Sequence, residues 1–331
     1  MANITDVARL AGVSHQTVSR VLNNDAAVRP QTRARVQAAI DELNYRPSAV
    51  ARALKSSKTH TIGLISTGNP LYGPSSIALA FNESAREAGY QVITASMSSA
   101  PVELIRDAID VFLRQQVEAI VLIATDVSSL VAVHDLYIDI PLITADSSGH
   151  ERFPSVSIAQ AAGAALATGF LADLGHRTIL HLAGPEYSLD ARERVRGWRA
   201  ELDRRGLEAR PPTFGDWTAG SGLELGLQLP WPDDFSAVFV ANDQMALGLL
   251  RAFGNRGIRV PEDVSVVGFD DIPESAHYSP PLTTVRQDFA ELGRRLMAAV
   301  STELAGLEQT GIAVTQPSLV VRQSAIAPRD N

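Results

Sequence analysis

The sequence predicts an all-α helix-turn-helix headpiece over residues 1–46, followed by an α/β body of two parallel-sheet lobes. Three observations predict it. Two short helical stripes meet at a glycine near the N-terminus. From Thr61 onward, short β-branched runs alternate with helix-length segments. The charge is also divided, basic at the start and acidic beyond it.

The stretch Ile4 to Asn23 reads ITDVARLAGVSHQTVSRVLN. Thr5 is placed to accept from the amides of a helix beginning at Asp6, and Gly12 supplies the left-handed turn that ends it. Ser14 then caps a second helix running to about Leu22. Val7, Ala8, Ala11, Val18, Val21 and Leu22 recur at helical spacing and should face one another, with Ala8 and Ala11 small enough for the backbones to cross closely. Left over on the second helix are His15, Gln16, Thr17, Ser19 and Arg20, which offer the donors and acceptors a helix needs in a major groove. A small surface hairpin would carry the same pattern. The continuation separates the two readings: Pro30 suits the first turn of a third helix, and Val36, Ile40 and Leu43 form the stripe that closes a three-helix core. Thr5, Ser14, Asn23 and Thr32 complete the candidate DNA-contacting set.

DVARLAGVS, TVSRVLN and NYRPSAVARAL, in that order and spacing, resemble the headpiece motifs of the LacI/GalR family of bacterial repressors. Residues 47–59 then read as a hinge helix and linker. The segment PSAVARALKS is shorter than the ~12–15 residues an isolated helix needs in water, so it should fold only when held. The resemblance implies that it orders in the minor groove at the operator centre, paired with the copy from a second subunit, with Leu54 as the wedge between base pairs. Without a headpiece beside it, the same segment would read as a flexible linker.

Residues 1–59 hold nine Lys and Arg against four acids, and since the chain totals −8, the remainder carries −13. One part attracts phosphate and the other repels it, so contact with double-stranded operator DNA should be confined to the headpiece. The absence of cysteine excludes disulfides, thiolate metal sites and cysteine nucleophiles. No secretory signal pattern and no apolar run of membrane-spanning length is visible, so a soluble, cytoplasmic protein is expected.

In the body, TIGLIS, QVITA, EAIVLIA, IPLITAD, TILHLAG, AVFVAND and VSVVGFDD read as strands of parallel sheets buried on both faces. They are too many for one compact sheet, hence two lobes. The expected crossings lie near Ser157 to Ala159, Gln287 to Asp288 and Gln316 to Ser318. These divide the body into residues 60–158 with 288–317, and 159–287 with 318–331. The resemblance implies the same plan, a periplasmic-binding-protein-like body with three crossovers around a cleft.

Ligands of open parallel sheets bind beyond the carboxyl ends of the strands. Asp146, Asn242 and Asp270 stand at such ends, each with a short planar side chain able to bridge neighbouring hydroxyls of a sugar. For any of these three the alternative is a helix N-cap just past the strand, and that is the better reading for Asp243 and Asp271. Arg194 could hold two ring oxygens and Trp217 could offer a flat apolar face, although an arginine beside a glutamate is usually a surface pair and a lone tryptophan usually core. The resemblance decides for the site. GDWTAGSG, VANDQMALG, VSVVGFDDIPES and PPLTTVRQDF are nearer to the galactoside-responsive branch of the family than to its purine or ribose branches. It implies that Asp146, Arg194, Trp217, Asn242, Asp270 and Gln287 contact the inducer, that Phe289 lines the pocket, and that Leu71, Gly73, Pro74 and Ile77 form an apolar wall.

Two departures bear on specificity. Asp190 stands where that branch has a serine, and Ile158 where it has an aromatic wall residue. An added carboxylate favours an extra hydroxyl and rejects anions, so the effector could be a different galactoside or a β-glucoside. In the headpiece His15 replaces a tyrosine while Gln16 is kept, which implies a related but different operator. The chain stops at Asn331 with no leucine heptad, so a two-fold homodimer is expected rather than a tetramer.

An enzyme is not expected. His176 and His181 lack metal-ligand spacing, and the glycines of GSGLELG (Gly220 to Gly226) suit a helix start better than a dinucleotide loop. Asp270 and Asp271, being adjacent, should point in different directions. No cofactor and no metal is expected. The rival readings are a cytosolic sugar-modifying enzyme, which predicts turnover of a bound glycoside, and a transport-type sugar-binding protein, which the headpiece and the missing signal pattern disfavour.

Overall fold

The computed structural model describes residues 2–23, 25–45, 58–68, 70–98, 101–134, 136, 138–149, 152–230, 235–307 and 313–329. The chain forms two compact units, Met1–His60 and Thr61–Asn331.

The first unit holds α1 (Ile4–Ala11), α2 (His15–Leu22) and α3 (Pro30–Glu42). Val7, Ala8, Ala11, Val18, Val21, Val36, Ala39 and Ile40 are its core, with Leu22 and Leu43 half-buried against it. The first cap differs from the expectation at Thr5. Asn3 caps α1 instead, accepting from Thr5 N at 2.8 Å and Asp6 N at 3.1 Å, while Asn3 N donates to the Asp6 carboxylate at 3.0 Å. The planar Asn3 carbonyl and the Asp6 carboxylate satisfy each other's end of the turn, so the helix starts two residues earlier. Gly12 ends α1 at φ 61, and Ser14 caps α2.

In the second unit the order is β1 (Thr61–Thr67), α4 (Tyr72–Glu87), β2 (Gln91–Met97), α5 (Val102–Arg114), β3 (Ala119–Ile123), α6 (Val127–His134), β4 (Leu142–Ala145) and β5 (Ser155–Ile158). It continues with α7 (Gln160–Asp173), β6 (Ile179–Ala183), α8 (Leu189–Arg204), β7 (Thr213–Phe214), α9 (Ala219–Gln228), β8 (Ala237–Val240), α10 (Asp243–Asn255), β9 (Ser265–Asp270) and β10 (Thr283–Arg286). Then come α11 (Phe289–Leu304), β11 (Ala313–Thr315) and β12 (Ser318–Val320). Two six-stranded sheets result, ordered β11-β5-β4-β3-β1-β2 and β12-β10-β9-β8-β6-β7, parallel except for the antiparallel β10–β12 pair.

Each sheet buries both faces, as strands of period two in a helix-covered sheet must. On the first, Val121 and Ile123 pack with Leu64 and Phe81 on one side, and Ile120 and Leu122 with Ile65 and Phe112 on the other. On the second, Val238 and Val240 pack with Met245 and Leu249, and Phe239 with Trp198 and Phe269. Fully burying each such side chain contributes about 1.5–3 kcal/mol. The run QVITA departs from the doubly buried expectation. As β2 it is an edge strand with a single neighbour, and it is exposed or half-buried along its length. Five strands, β5, β7, β10, β11 and β12, are too short or too polar to be visible as apolar runs.

The helix α9 starts at Ala219, so Gly220 stands in its first turn as expected, while Gly222 and Gly226 pack that helix against α10. A Cβ on Gly222 would lie 2.1 Å from Met245 O, and one on Gly248 would lie 1.9 Å from Ala219 O, so α9 and α10 touch backbone to backbone.

The chain changes sheets three times. β5 belongs to the first sheet, and α7 packs on the second through Ala164 and Leu171. β10 belongs to the second, and α11 packs on the first through Leu292, Leu296 and Val300. β11 lies in the first sheet and β12 in the second.

Candidate functional site

In the headpiece α2 presents His15, Gln16 and Arg20 as exposed side chains, with Asn23 exposed just past its end. Arg20 lies 3.9 Å from Asp25 and remains largely open to solvent. Ser14 and Thr17 are committed to the cap: Thr17 N donates to Ser14 Oγ at 3.2 Å, and the two hydroxyls are 3.0 Å apart. Ser19 and Thr32 are half-buried, and Thr5 is exposed on α1. Arg33 of α3 donates to Val21 O of α2 at 3.5 Å and to Asp25 O in the loop between them at 2.8 Å. Leu54 and the rest of the hinge segment 47–56 lie outside the described residues.

Between the two sheets lie two adjoining chambers. The larger, about 210 Å³, is lined by Leu71, Gly73, Pro74, Asp190, Arg194, Trp217, Asn242 and Asp270 among others. The smaller, about 40 Å³, is lined by Ile77, Asp146, Gln287 and Phe289, and shares Gly73, Pro74 and Asp190 with the first. All twelve effector candidates thus line this cleft. Sequence reasoning missed Gln160 and Ser147 in the smaller chamber, and Tyr72, Asp126 and Tyr187 in the larger. A shallower surface groove beside Arg192, Arg196 and Arg199 is wider, about 620 Å³, but no buried polar groups converge on it.

Four buried side chains form a closed ring at the cleft. Arg194 Nε donates to Gln160 Oε1 at 2.9 Å, and Gln160 Nε2 donates to Gln287 Oε1 at 2.8 Å. Gln287 Nε2 donates to Asp270 Oδ1 at 2.7 Å, and that oxygen lies 3.5 Å from the Arg194 NH2 nitrogen. Arg194 also donates to Ala241 O, and its guanidinium lies 3.8 Å from the Phe269 ring centroid and 5.3 Å from that of Trp217. Burial raises the Asp270 pKa to about 6, with Arg194 and Gln287 pulling against it. Asp270 and Trp217 adopt φ of 108 and 74, conformations that a side chain other than glycine holds only when its surroundings enforce them.

Asn242 both lines the cleft and caps a helix. Its side-chain oxygen accepts from Met245 N at 2.9 Å and so caps α10, a role expected of Asp243. Its amide hydrogens go to Trp217 O and Gln244 Oε1, both at 3.0 Å, so Asn242 holds the Trp217 loop in place and has spent both donors. Asp243 is fully buried, accepting from Thr284 Oγ1 at 2.6 Å and Ile272 N at 2.9 Å. Asp271 caps no helix either. It is clamped by Arg286 Nε and Arg322 NH2, each at 2.6 Å.

Asp146 accepts from Ser148 N at 2.8 Å, Ser148 Oγ at 2.5 Å and Ser155 Oγ at 3.2 Å. Across the cleft, Ser147 Oγ donates to Asp190, Leu189 N donates to Thr125 O at 3.1 Å, and Asp126 pairs with Ser188. The segment leading into α8 is therefore fastened to the opposite lobe. Chemically, the cleft offers one buried guanidinium, four carboxylates, paired amides and an indole face. That set is suited to a neutral polyhydroxylated ligand. Among the described residues no cluster of metal-ligating side chains occurs, and no helix is long and apolar enough to cross a membrane.

Residues 3–48 match the family of bacterial regulatory proteins, lacI family, and residues 168–325 match a periplasmic binding protein-like domain. The chain is 37% identical over 325 residues to the lactose operon repressor of Escherichia coli (strain K12), covering 98% of this chain and 90% of that one. It superposes on a lac repressor dimer bound to operator and the anti-inducer ONPF with a TM-score of 0.88 at 35% identity, covering 98% and 99% of the two chains. It superposes on the transcriptional regulator CelR–cellobiose complex with a TM-score of 0.73 at 31% identity, covering 98% and 100%.

Proposed function

The chain belongs to the lacI family of bacterial regulatory proteins, and from that membership we propose that it represses a carbohydrate-utilisation operon and leaves its operator when a sugar binds. It is a DNA-binding transcriptional repressor with a sugar-binding body, not an enzyme. As a cytoplasmic homodimer it sets two headpieces on half-sites about one helical turn apart in a palindrome. Gln16 and Arg20 of α2 read base edges or phosphates there, with His15 shifting the preferred sequence. The proposed effector is a galactoside. The reading is carried by the closed ring of Arg194, Gln160, Gln287 and Asp270, which sits beside the larger chamber and at two of the three sheet crossings.

Sugar hydroxyls that engage Arg194 and Asp270 bias the arrangement of the crossings, and through them the hinge. Operator and sugar must then weaken each other reciprocally, with a coupling of at least ~1–3 kcal/mol. A β-glucoside is the second reading. It is favoured by Asp190, whose carboxylate lines both chambers and suits an additional hydroxyl, and by the cellobiose held in the CelR complex. The test is fluorescence anisotropy of a palindromic duplex with the whole chain, titrated with galactosides and glucosides. Release by a galactoside supports the first reading and release by a glucoside alone the second. A complex indifferent to every sugar overturns both.

A further inference from the structure

We propose that Tyr187 is a specificity-determining residue whose ring packs on the second ring of a two-ring sugar, so that the effector is a disaccharide rather than a monosaccharide. This rests on the sugar reading above and deepens it.

The groups that can hold ring hydroxyls, Arg194, Asp190 and Asp270, line the same chamber as Tyr187. A ring engaged by them can send its substituent in two directions. One leads into the smaller chamber, whose volume of about 40 Å³ is about a fifth of the larger chamber's 210 Å³. A second sugar ring does not fit there. The other leads out of the cleft, past Tyr187, which is 70% exposed at the mouth.

The backbone on the C-terminal side of Tyr187 is held by bonds within the turn and across the cleft. Ser188 N donates to Pro185 O at 2.9 Å, Ser188 pairs with Asp126 of the other lobe, and Leu189 N donates to Thr125 O at 3.1 Å. A large aromatic ring is therefore kept exposed, on anchored backbone, at the rim of a polyhydroxyl site. Fixed aromatic faces with little entropy to lose are what the apolar CH side of a pyranose packs against. Tyr72 and Trp217 line the same chamber, so the ring bound within it has its own aromatic walls and does not need Tyr187.

The experiment is calorimetric titration of the full chain with glucose, galactose, cellobiose, lactose and maltose, in the wild type and in Tyr187→Ser and Tyr187→Phe. The wild type should bind at least one disaccharide roughly tenfold more tightly than either monosaccharide, the worth of one aromatic face. Tyr187→Ser should reduce that preference to within about twofold, and Tyr187→Phe should keep it, because the face and not the hydroxyl makes the contact. Equal affinities for monosaccharide and disaccharide in the wild type, or a preference that survives Tyr187→Ser, overturns the inference while leaving the sugar reading intact. If none of the five sugars binds, the sugar reading for these ligands fails and the inference falls with it.

Discussion

Gln160 donates to Gln287 at 2.8 Å, and the two residues stand at different crossings between the sheets, Gln160 at the start of α7 just past the first and Gln287 just past β10 at the second. One amide pair therefore ties two of the three crossings together. Because Gln160 also accepts from Arg194 and Gln287 donates to Asp270, any ligand that draws on Arg194 or Asp270 draws on the bonds between these crossings. The candidate binding groups and these two crossings are one hydrogen-bonded unit.

Replacing Gln160 by Leu keeps much of the volume and removes both bonds. Arg194 Nε and Gln287 Oε1 would be left buried without their partners, each at a cost of about 1–3 kcal/mol. Urea denaturation should show a lower midpoint with an unchanged slope, and sugar affinity should fall at least about tenfold. Wild-type sugar affinity in this variant would show that the ring is not coupled to the ligand.

Arg194→Ala removes a buried cation and strands Asp270, which predicts a stability loss of about 3–5 kcal/mol together with a loss of the sugar response. Adding Asp270→Asn removes the stranded charge and should recover much of the stability, though none of the response. A double-mutant cycle by denaturation, with operator release measured beside it, separates the two effects. Repression should persist in both variants once they are folded. Normal induction of either one would show that the ligand binds elsewhere.

Some of this arrangement was legible in the chain and some was not, for reasons of range. Gly12 and Ser14 act on residues three or four positions away, and the central strands are apolar because helices cover both faces, so both signals are local. Asp146, directly after β4, and Asp270, the last residue of β9, were visible because a polar residue at the end of an apolar strand has only one place to be. Gln160 carried no such mark. Its partners are 34 and 127 residues distant, and within QAAGAALATG it resembles any polar residue in a first helical turn. Tyr187 likewise follows no pattern until the β6–α8 turn is seen fastened to Thr125. The cap at Asn3 was readable from the Asn3 to Asp6 spacing, but Thr5 is an equally good cap former and masked it.

On the headpiece, Arg20→Ala and Gln16→Ala should weaken operator binding by different routes. If Arg20 meets phosphate, its removal lowers affinity for all duplexes alike and reduces the slope of log affinity against log salt by about 1. Gln16→Ala should cost about 1–3 kcal/mol on the operator and little on unrelated duplex, leaving the slope unchanged. Anisotropy titrations at several salt concentrations distinguish the two. Sugar affinity of the free protein should be the same in both variants.

The affinity for sugar should rise with pH through about 6, and Asp270 sets the window. Its carboxyl ordinarily loses its proton near 3.8, and burial raises that to about 6 in the folded protein. Between those values the folded chain keeps a proton that the unfolded chain has released, so this group costs stability progressively as pH rises from 3.8 to 6, and the full cost remains above. A sugar hydroxyl donating to Asp270 favours the ionised form and lowers its pKa on binding, so the complex releases a proton wherever the free protein is protonated. Affinity should therefore be weakest near pH 5, climb by up to about tenfold per unit towards pH 6, and level off above about 7. Titrations in buffers of different ionisation enthalpy should detect the released proton at pH 5.5 and none at pH 8. Asp270→Asn should bind more weakly at neutral pH and lose the pH dependence. An affinity that stays flat or falls from pH 5 to 7 in the wild type would mean that the sugar does not accept help from this carboxylate.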